Sequence, residues 1–188
     1  MMTVRSLFAR LAPSASSARF GNGAYVARMA ACALLAGSLM AAPAAAQDVD
    51  GISVGSVAPA FVASDLGGHR VRLTPTAGRP MLIEFWATWC EFCERLEPTM
   101  KASYAKYGST VQFAAVAVNV NQSPSRVARH VAERSLAYPV YYDVTGNATR
   151  AYDVQATSFV VIIDKQGRVA YTGMGDKQNL DAALRRVQ

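Results

Sequence analysis

The sequence predicts a mixed α/β domain that follows an N-terminal leader. Three features indicate this class: short apolar segments typical of buried strands, amphipathic helical segments between them, and a closing strand–turn–strand followed by a helix. Strands that alternate with helices favour a partly parallel sheet, and the closing hairpin adds antiparallel strands. We therefore expect one mixed β-sheet flanked by helices.

The first 46 residues differ in composition from the rest of the chain, with four arginines and no acidic residue. An apolar segment at 29–42 is followed by the small residues Ala44 and Ala46. This order is typical of a secretory signal peptide. We expect cleavage after Ala46, a mature domain at 47–188 and a periplasmic location without membrane insertion. The alternative is an uncleaved leader that anchors the protein to the membrane.

The expected mature domain has nearly balanced charge, with 15 basic and 13 acidic residues. The net charge of +6 for the whole chain therefore comes largely from the leader, and no nucleic-acid partner is expected. Cys32 lies in the leader, so the domain keeps only Cys90 and Cys93. Such a pair closes too small a loop to stabilise a fold much, which favours a reactive role.

The first half of the domain begins with two β segments, 61–63 and 71–73, around a Gly-Gly turn that predicts a hairpin. Residues 81–86 form an apolar run typical of a strand buried on both faces, interrupted only by Glu84. Apolar residues spaced by three and four then predict a helix over 90–107, with a kink at Pro98.

The remaining elements follow from similar patterns of periodicity, capping and turn residues. In chain order they are the helix stop Gly108, a strand at 111–120, a helix at 123–135, a strand at 140–142, a short helix at 146–152, a strand at 159–163, a turn at 164–167, a strand at 169–172 and a helix at 176–187. We expect Leu180, Ala183, Leu184 and Val187 to face inward from the last helix.

Two cysteines separated by two residues have several uses. A structural zinc ion needs four ligands, and beside Cys90 and Cys93 the domain offers only His69 and His130, both expected to be exposed. Attachment of a c-type haem needs a histidine directly after the second cysteine, where Glu94 stands. We therefore expect neither a metal nor another cofactor.

Redox chemistry fits the position of the pair between an apolar strand and a helix. The free N–H groups and positive end of that helix stabilise a Cys90 thiolate, while Cys93 lies one turn further in. We predict that Cys90 attacks a partner disulfide and that Cys93 resolves the mixed disulfide. A buried Glu84 is the candidate to take the Cys93 proton. The alternative is that Glu84 reaches solvent or a cation.

Several segments of the chain resemble the thioredoxin family and its exported TlpA/ResA-like branch. The similar segments are 84–93 with Pro98, the entry at 54–61, the inserted section at 116–120 and 138–143, and the closing section at 152–154 and 162–167. The resemblance implies a thioredoxin fold with an N-terminal β-hairpin and a TlpA-like strand/helix insertion. It also implies a Cys90–Cys93 disulfide and a buried acid at Glu84.

The same resemblance implies partners and a site surface. The partners would be proteins with thiols or disulfides, such as apocytochromes c, and an upstream electron donor such as a membrane thiol reductase. We expect a monomer. The candidate substrate-contacting residues are Trp89, Phe92, Thr157 and Ser158.

The chain departs from the family pattern at two of these positions. Phe92 stands where the family usually has proline, and Thr157–Ser158 stands where it has Thr-Pro with a cis peptide bond. Because a cis bond before serine costs about 2.5–4 kcal/mol, we expect a trans bond there. The loop would then differ in shape and leave the thiols more open to metal.

Charge indicates the direction of electron flow. Glu91 disfavours a Cys90 thiolate, and Glu94 and Glu97 add negative charge that Arg95 partly offsets. A less stable thiolate makes a more reducing pair, so we predict a disulfide reductase.

Three alternatives use the same cysteines. A thiol peroxidase would have threonine three residues before the nucleophile and an arginine near the closing strand, whereas Thr88 is two residues before Cys90 and Ser158 takes the arginine position. A copper(I) chaperone would bind the metal through soft thiolates, with Met174 on the closing section. A structural disulfide is disfavoured by Glu84 and by the helix-start position.

Overall fold

The computed structural model describes residues 51–188, so the predicted leader and its cleavage site lie outside the described residues and stay predictions. The strands of the described part are β1 (Phe61–Asp65), β2 (Arg70–Leu73), β3 (Met81–Trp86), β4 (Gln112–Ala117), β5 (Val140–Tyr142), β6 (Phe159–Ile163) and β7 (Val169–Met174). The helices are α1 (Glu91–Tyr107), α2 (Pro124–Arg134), α3 (Asn147–Ala151) and α4 (Leu180–Arg185). Between residues 51 and 188, no helix has the length and apolar character needed to cross a membrane.

The strands form one mixed sheet in the order β2-β1-β5-β4-β3-β6-β7. β3 is parallel to β4 and antiparallel to β6, β4 is parallel to β5, and the hairpin β1–β2 joins the sheet through the antiparallel pair β1–β5. The predicted fold class is therefore confirmed, including the N-terminal hairpin and the inserted helix and strand, α2 and β5.

β3 lies inside the sheet between β4 and β6, and both of its faces are covered. Its residues alternate between two apolar clusters, and all six are buried. Leu82 and Trp86 pack with Leu96 of α1 and Leu180 of α4, whereas Phe85 packs on the opposite face. Burial of each such side chain contributes about 1.5–3 kcal/mol, so the end of β3 is a rigid support for the residues that follow it.

Helix α1 begins directly after β3 and a short turn. Cys90 is its N-cap, and the helix continues through Pro98 to Tyr107. Gly108 is the C-cap, as predicted, although its right-handed φ of −60° shows that the stop does not depend on the conformational freedom of glycine. The N–H of Gly108 donates to the Tyr104 carbonyl instead.

Several predicted boundaries are wrong. β1 ends at Asp65 rather than at 63, β7 at Met174 rather than at 172, and α4 at Arg185 rather than at 187. β4 ends at Ala117 rather than at 120, because its partner β3 ends at Trp86. The Val118 N–H still donates to the Trp86 carbonyl, and the residues after it have no further partner in β3. α4 begins at Leu180 rather than at 176, because Asn179 caps it and the residues before that cap bind other parts of the site. The residues predicted to face inward are all buried: Leu180, Ala183 and Leu184 of α4, and Val187 just after it.

Candidate active site

The cysteine pair lies at the junction of β3 and α1. A disulfide joins Cys90 and Cys93, whose Cα atoms are 5.2 Å apart. As the N-cap, Cys90 accepts the backbone N–H of Cys93 at its Sγ, with a distance of 3.1 Å. A backbone donor and the positive helix end therefore both act on the Cys90 sulfur, as the sequence predicted.

The two sulfurs differ in exposure. Cys90 is half-buried, whereas Cys93 is only 5% exposed and belongs to the cluster between β3 and the helices. A partner protein can therefore reach Cys90 more easily than Cys93. This asymmetry suits an outer thiol that attacks and an inner thiol that resolves.

Glu84 lies within β3, between Ala115 of β4 and Val160 of β6. It is 3% exposed. Burial raises the pKa of the Glu84 carboxyl from its ordinary 4.5 to about 8, and the negative charge of Glu97 adds to the rise. The alternative that Glu84 reaches solvent or an ion partner is therefore wrong for this structure.

A cavity of about 110 Å³ connects Glu84 with the cysteine pair and with exposed residues. The residues that line it are Glu84, Trp86, Ala87, Thr88, Trp89, Cys90, Glu91, Cys93, Glu94, Glu97, His130, Leu136 and Tyr138. Both Glu84 and Cys93 therefore border one shared space, which favours proton transfer between them.

Glu97 is a site residue whose burial the sequence analysis missed. It is 7% exposed, lines the same cavity and pairs with Lys101 at 2.8 Å and with Arg134 at 3.0 Å. The signal was present in α1, because Cys93, Leu96, Glu97 and Met100 follow the helical period of its buried face. The partnership with Arg134, 37 residues away, leaves no such signal.

The two histidines of the domain behave differently. The side chain of His69 is 82% exposed beside the β1–β2 turn, as predicted. The predicted exposure of His130 is wrong: it is half-buried, with its ring centroid 5.4 Å from that of Trp86, and it lines the cavity. Within residues 51–188, no group of three or more histidine, cysteine or acidic side chains is arranged to hold a metal ion.

Trp89 and Phe92 flank the disulfide on the surface, 43% and 53% exposed. The Trp89 indole N–H donates to the Val120 carbonyl at 2.8 Å. The Arg95 guanidinium lies 4.6 Å from the centre of the Phe92 ring and donates to Asp176 at 2.8 Å, which lowers the pKa of that carboxyl. Both aromatic rings are thus held in place yet available to a partner.

Ser158 lies directly before β6, on the side of the site that this strand forms. It directly precedes Phe159, which pairs with Phe85 at the end of β3, so Thr157 and Ser158 lie at the same end of the sheet as the cysteine turn. Ser158 is fully buried and has a left-handed φ of 62°. The expected trans peptide bond before it stays a prediction.

A small hydrogen-bond network holds this loop. The Ser158 hydroxyl donates to the Gly175 carbonyl, and the Gly175 N–H donates back to the Ser158 carbonyl. The Gln178 side-chain amide donates to both carbonyls, at 3.1 and 2.7 Å. A Cβ at Gly175 would lie 4.0 Å from Phe92, so this network supports the surface beside the disulfide.

A central strand that leads into a Cys-x-x-Cys helix start, above a buried carboxyl, defines the thioredoxin-like class of thiol–disulfide oxidoreductases. Residues 53–184 match the Redoxin family. The thiol-disulfide oxidoreductase ResA of Geobacillus kaustophilus is 34% identical over 140 residues, which cover 73% of this chain and 79% of that protein. ResA of Bacillus subtilis is 34% identical over 120 residues, which cover 64% of this chain and 66% of that protein.

Solved structures show the same likeness. A structure from Chlorobium tepidum described as thiol:disulfide interchange protein DsbE has a TM-score of 0.65 and 26% identity, and the match covers 72% of this chain and 98% of that one. The chain belongs to the Redoxin family and is a thioredoxin-like thiol–disulfide oxidoreductase.

Proposed function

We propose that the protein is an exported disulfide reductase that acts on cysteine pairs of other proteins. The observation that carries this proposal is the asymmetry of the pair: Cys90 is the half-exposed N-cap of α1, and Cys93 is shielded above the cavity that holds Glu84. The Cys90 thiolate attacks a partner disulfide, which forms a mixed disulfide and releases one partner thiolate. Cys93 then attacks the Cys90 sulfur and releases the second.

Glu84 is the proposed proton acceptor for Cys93. The thiol must lose its proton before it attacks, and the carboxylate form of Glu84 can take that proton across the shared cavity. Because burial and the charge of Glu97 raise the pKa of Glu84 to about 8, both the protonated and the ionised form of this carboxyl are present near neutral pH, so it can accept and release a proton. A Glu84→Gln variant keeps the size of the side chain, and we expect slower resolution with a changed pH profile.

The reductase direction is supported by the charges around the pair. The Glu91 side chain follows Cys90 directly, and Arg95 approaches it only to 3.7 Å. Buried Glu97 lies on the inner side of the same cavity, and buried Glu84 adds a negative charge there once the pH rises above about 8. Negative charge on both sides opposes a stable thiolate, and a less stable thiolate corresponds to a more reducing pair.

The proposed substrates are exported proteins whose cysteine pairs must be reduced, with apocytochromes c as the proposed case. The exposed apolar side chains of Trp89, Phe92 and Met174 offer a surface for an apolar segment next to the partner cysteine. An upstream donor, proposed to be a membrane thiol reductase, would return electrons to the pair. The named relatives are themselves thiol–disulfide oxidoreductases, which supports this chemistry but not a particular substrate.

Trapping tests the proposed partners. In a Cys93→Ser variant the mixed disulfide cannot resolve, so we expect covalent complexes of Cys90 with partner proteins, identified by mass after non-reducing separation. Cys90→Ser is the matched control, because it keeps a single, shielded thiol and should trap far less. Equal trapping by both variants would contradict the assigned roles, and an absence of cysteine-pair proteins from the complexes would contradict the substrate class.

Export rests on the leader and is tested separately. We expect the mature protein, recovered from the periplasm, to begin at Gln47. A protein that keeps its first residues and stays with the membrane fraction would support the uncleaved anchor instead. A protein confined to the cytoplasm would contradict export altogether.

A further inference from the structure

The cavity beside the cysteine pair runs from a buried carboxyl to the protein surface. Its lining includes Glu84 at the sheet and the exposed Glu91 and Glu94 at the outside. Trp86 and Thr88 also line it, and within residues 51–188 the Trp86 indole N–H and the Thr88 hydroxyl are buried without a hydrogen-bond partner. A partly polar cavity of about 110 Å³ has room for several water molecules, which suits proton movement.

His130 lies where this cavity meets α2. Glu84 and Trp86 are two residues apart on β3 and therefore share one face of the sheet. The His130 ring lies over Trp86 with a centroid distance of 5.4 Å and lines the cavity together with Glu84. His130 is half-buried, so its ring meets both the cavity and the outside.

The proposed reaction needs a way out for protons. Near neutral pH most Glu84 carboxyls are protonated, because burial raises their pKa to about 8. Each carboxyl must then release its own proton before it accepts the proton of Cys93. Glu84 is 3% exposed and lies between β4 and β6, so the cavity is the route by which we expect the proton to leave.

We infer that His130 relays protons between Glu84 and solvent, an inference that rests on the proposed function. The unprotonated imidazole takes a proton from Glu84 through the cavity and passes it to solvent, which leaves a Glu84 carboxylate. That carboxylate takes the Cys93 proton as Cys93 attacks Cys90, and the partner thiolate leaves with the electron pair. Histidine suits this step because one nitrogen of the neutral ring can accept a proton while the other nitrogen carries one.

Charged and titratable groups of several elements lie near this ring. Those that line the cavity with it are Glu84 of β3, Glu91, Glu94 and Glu97 of α1, the cysteine pair and Tyr138 before β5, while Arg126, Glu133 and Arg134 lie three or four residues from His130 on α2. Arg134 pairs with both Glu94 and Glu97, so these two carboxylates are partly neutralised. Burial raises the pKa of Tyr138, which therefore stays neutral and cannot replace the imidazole as an acceptor.

A coloured aromatic disulfide, dithiobis-nitrobenzoate, separates the two thiol steps. The reduced protein releases one coloured thiolate when Cys90 attacks and a second when Cys93 resolves. In weak buffer near pH 7 we expect His130→Gln and His130→Phe to slow the second phase about tenfold and to leave the first unchanged. His69→Gln is the matched control, because the side chain of His69 is 82% exposed beside Asp65, and it should behave as wild type.

Two further variants of the measurement separate a relay from packing. The phenylalanine ring can still pack on Trp86, and in His130→Ala added imidazole should restore the second phase to within about threefold of wild type. Equal second phases in wild type and both ring variants overturn the relay. If the second phase slows in His130→Gln but not in His130→Phe, the relay is also overturned, because packing alone would explain the result. If the wild-type protein releases only one thiolate, the proposed function itself fails.

Discussion

At Glu84 a carboxyl group interrupts an apolar strand, and its protonation state follows from that position. The unfolded chain ionises this group near 4.5, whereas the folded protein holds its pKa at about 8. Between these values the native state binds more protons than the unfolded state, so the free energy of unfolding falls as the pH rises. The stabilising contribution of the protonated Glu84 carboxyl is fully present below about pH 4.5 and is lost as the pH rises through about 8.

Replacement of Glu84 by glutamine should remove this dependence. Relative to wild type, the unfolding free energy of Glu84→Gln should rise by a few kcal/mol between about pH 5 and pH 8.5. Urea unfolding of the oxidised proteins at both pH values measures it. Glu94→Gln, whose native side chain is 61% exposed, should shift little. An equal pH dependence for Glu84→Gln and wild type would show that the buried carboxyl is not protonated near neutral pH.

Ser158 has a strained backbone where the family usually has proline. Its φ of 62° costs a side-chain-bearing residue about 1–2 kcal/mol, whereas glycine adopts this region freely. The buried hydroxyl offsets part of this cost by donating to Gly175. Proline, with φ fixed near −65°, would not fit the loop as it stands.

A pair of substitutions isolates the strain at this residue. Ser158→Gly and Ser158→Ala both lose the hydroxyl, so the bond to Gly175 disappears in each. We expect the glycine variant to be more stable than the alanine variant by about 1 kcal/mol, as measured by urea unfolding. A more stable alanine variant would be incompatible with a left-handed residue at this position.

At the scale of elements, α1 and α2 are joined by charge as well as by packing. Glu97 is nearly buried and accepts from Arg134 of α2 at 3.0 Å, and Lys101 of α1 pairs with its other oxygen. Arg134 also reaches Glu94. A carboxylate in this position depends on its cations, because burial alone would disfavour its charge.

Loss of Arg134 should therefore destabilise the protein. We expect Arg134→Gln to lower the unfolding free energy clearly, because the nearly buried Glu97 then keeps only Lys101 as a cation partner. Arg129→Gln, an exposed residue on the same helix, should change it by less than about 0.5 kcal/mol. If thermal or urea unfolding showed the same small effect for both variants, the ion pair would not support the contact between α1 and α2.

Elements whose ends follow from local chemistry were predicted closely. Ser123 and Pro124 mark the start of α2, and an unbroken apolar run marks β3. The ends of β4 and the start of α4 depend on contacts between distant residues, such as Val118 with Trp86 and Arg95 with Asp176. Periodicity within one segment carries no information about these partners, so both boundaries were misplaced.

At the scale of the whole molecule, the site combines parts of the chain that lie far apart. The cysteine turn and the position of Glu84 within a buried strand were predictable, because both belong to one continuous stretch. His130 and Arg134 reach the site only because α2 packs beside α1, and Gln178 only because the chain returns after β7. The sequence predicted the chemistry of the pair, while its polar surroundings depend on tertiary structure.

We expect these surroundings to set the direction of electron flow. Negative carboxylates lie outside the pair at Glu91 and inside it at Glu97, and each makes a thiolate less stable, whereas Glu84 is mostly protonated near neutral pH and adds its charge only at higher pH. The N–H of Cys93 and the helix end act in the opposite direction on Cys90. We expect the acidic groups to prevail and the pair to be a reductant.

The reduction potential of the Cys90–Cys93 pair tests this claim most directly. Equilibration of the protein with dithiothreitol or glutathione buffers of known ratio, followed by a count of free thiols, gives the potential. We expect a value close to that of thioredoxin, about −270 mV. A value near that of a strong oxidant, about −120 mV, would contradict it.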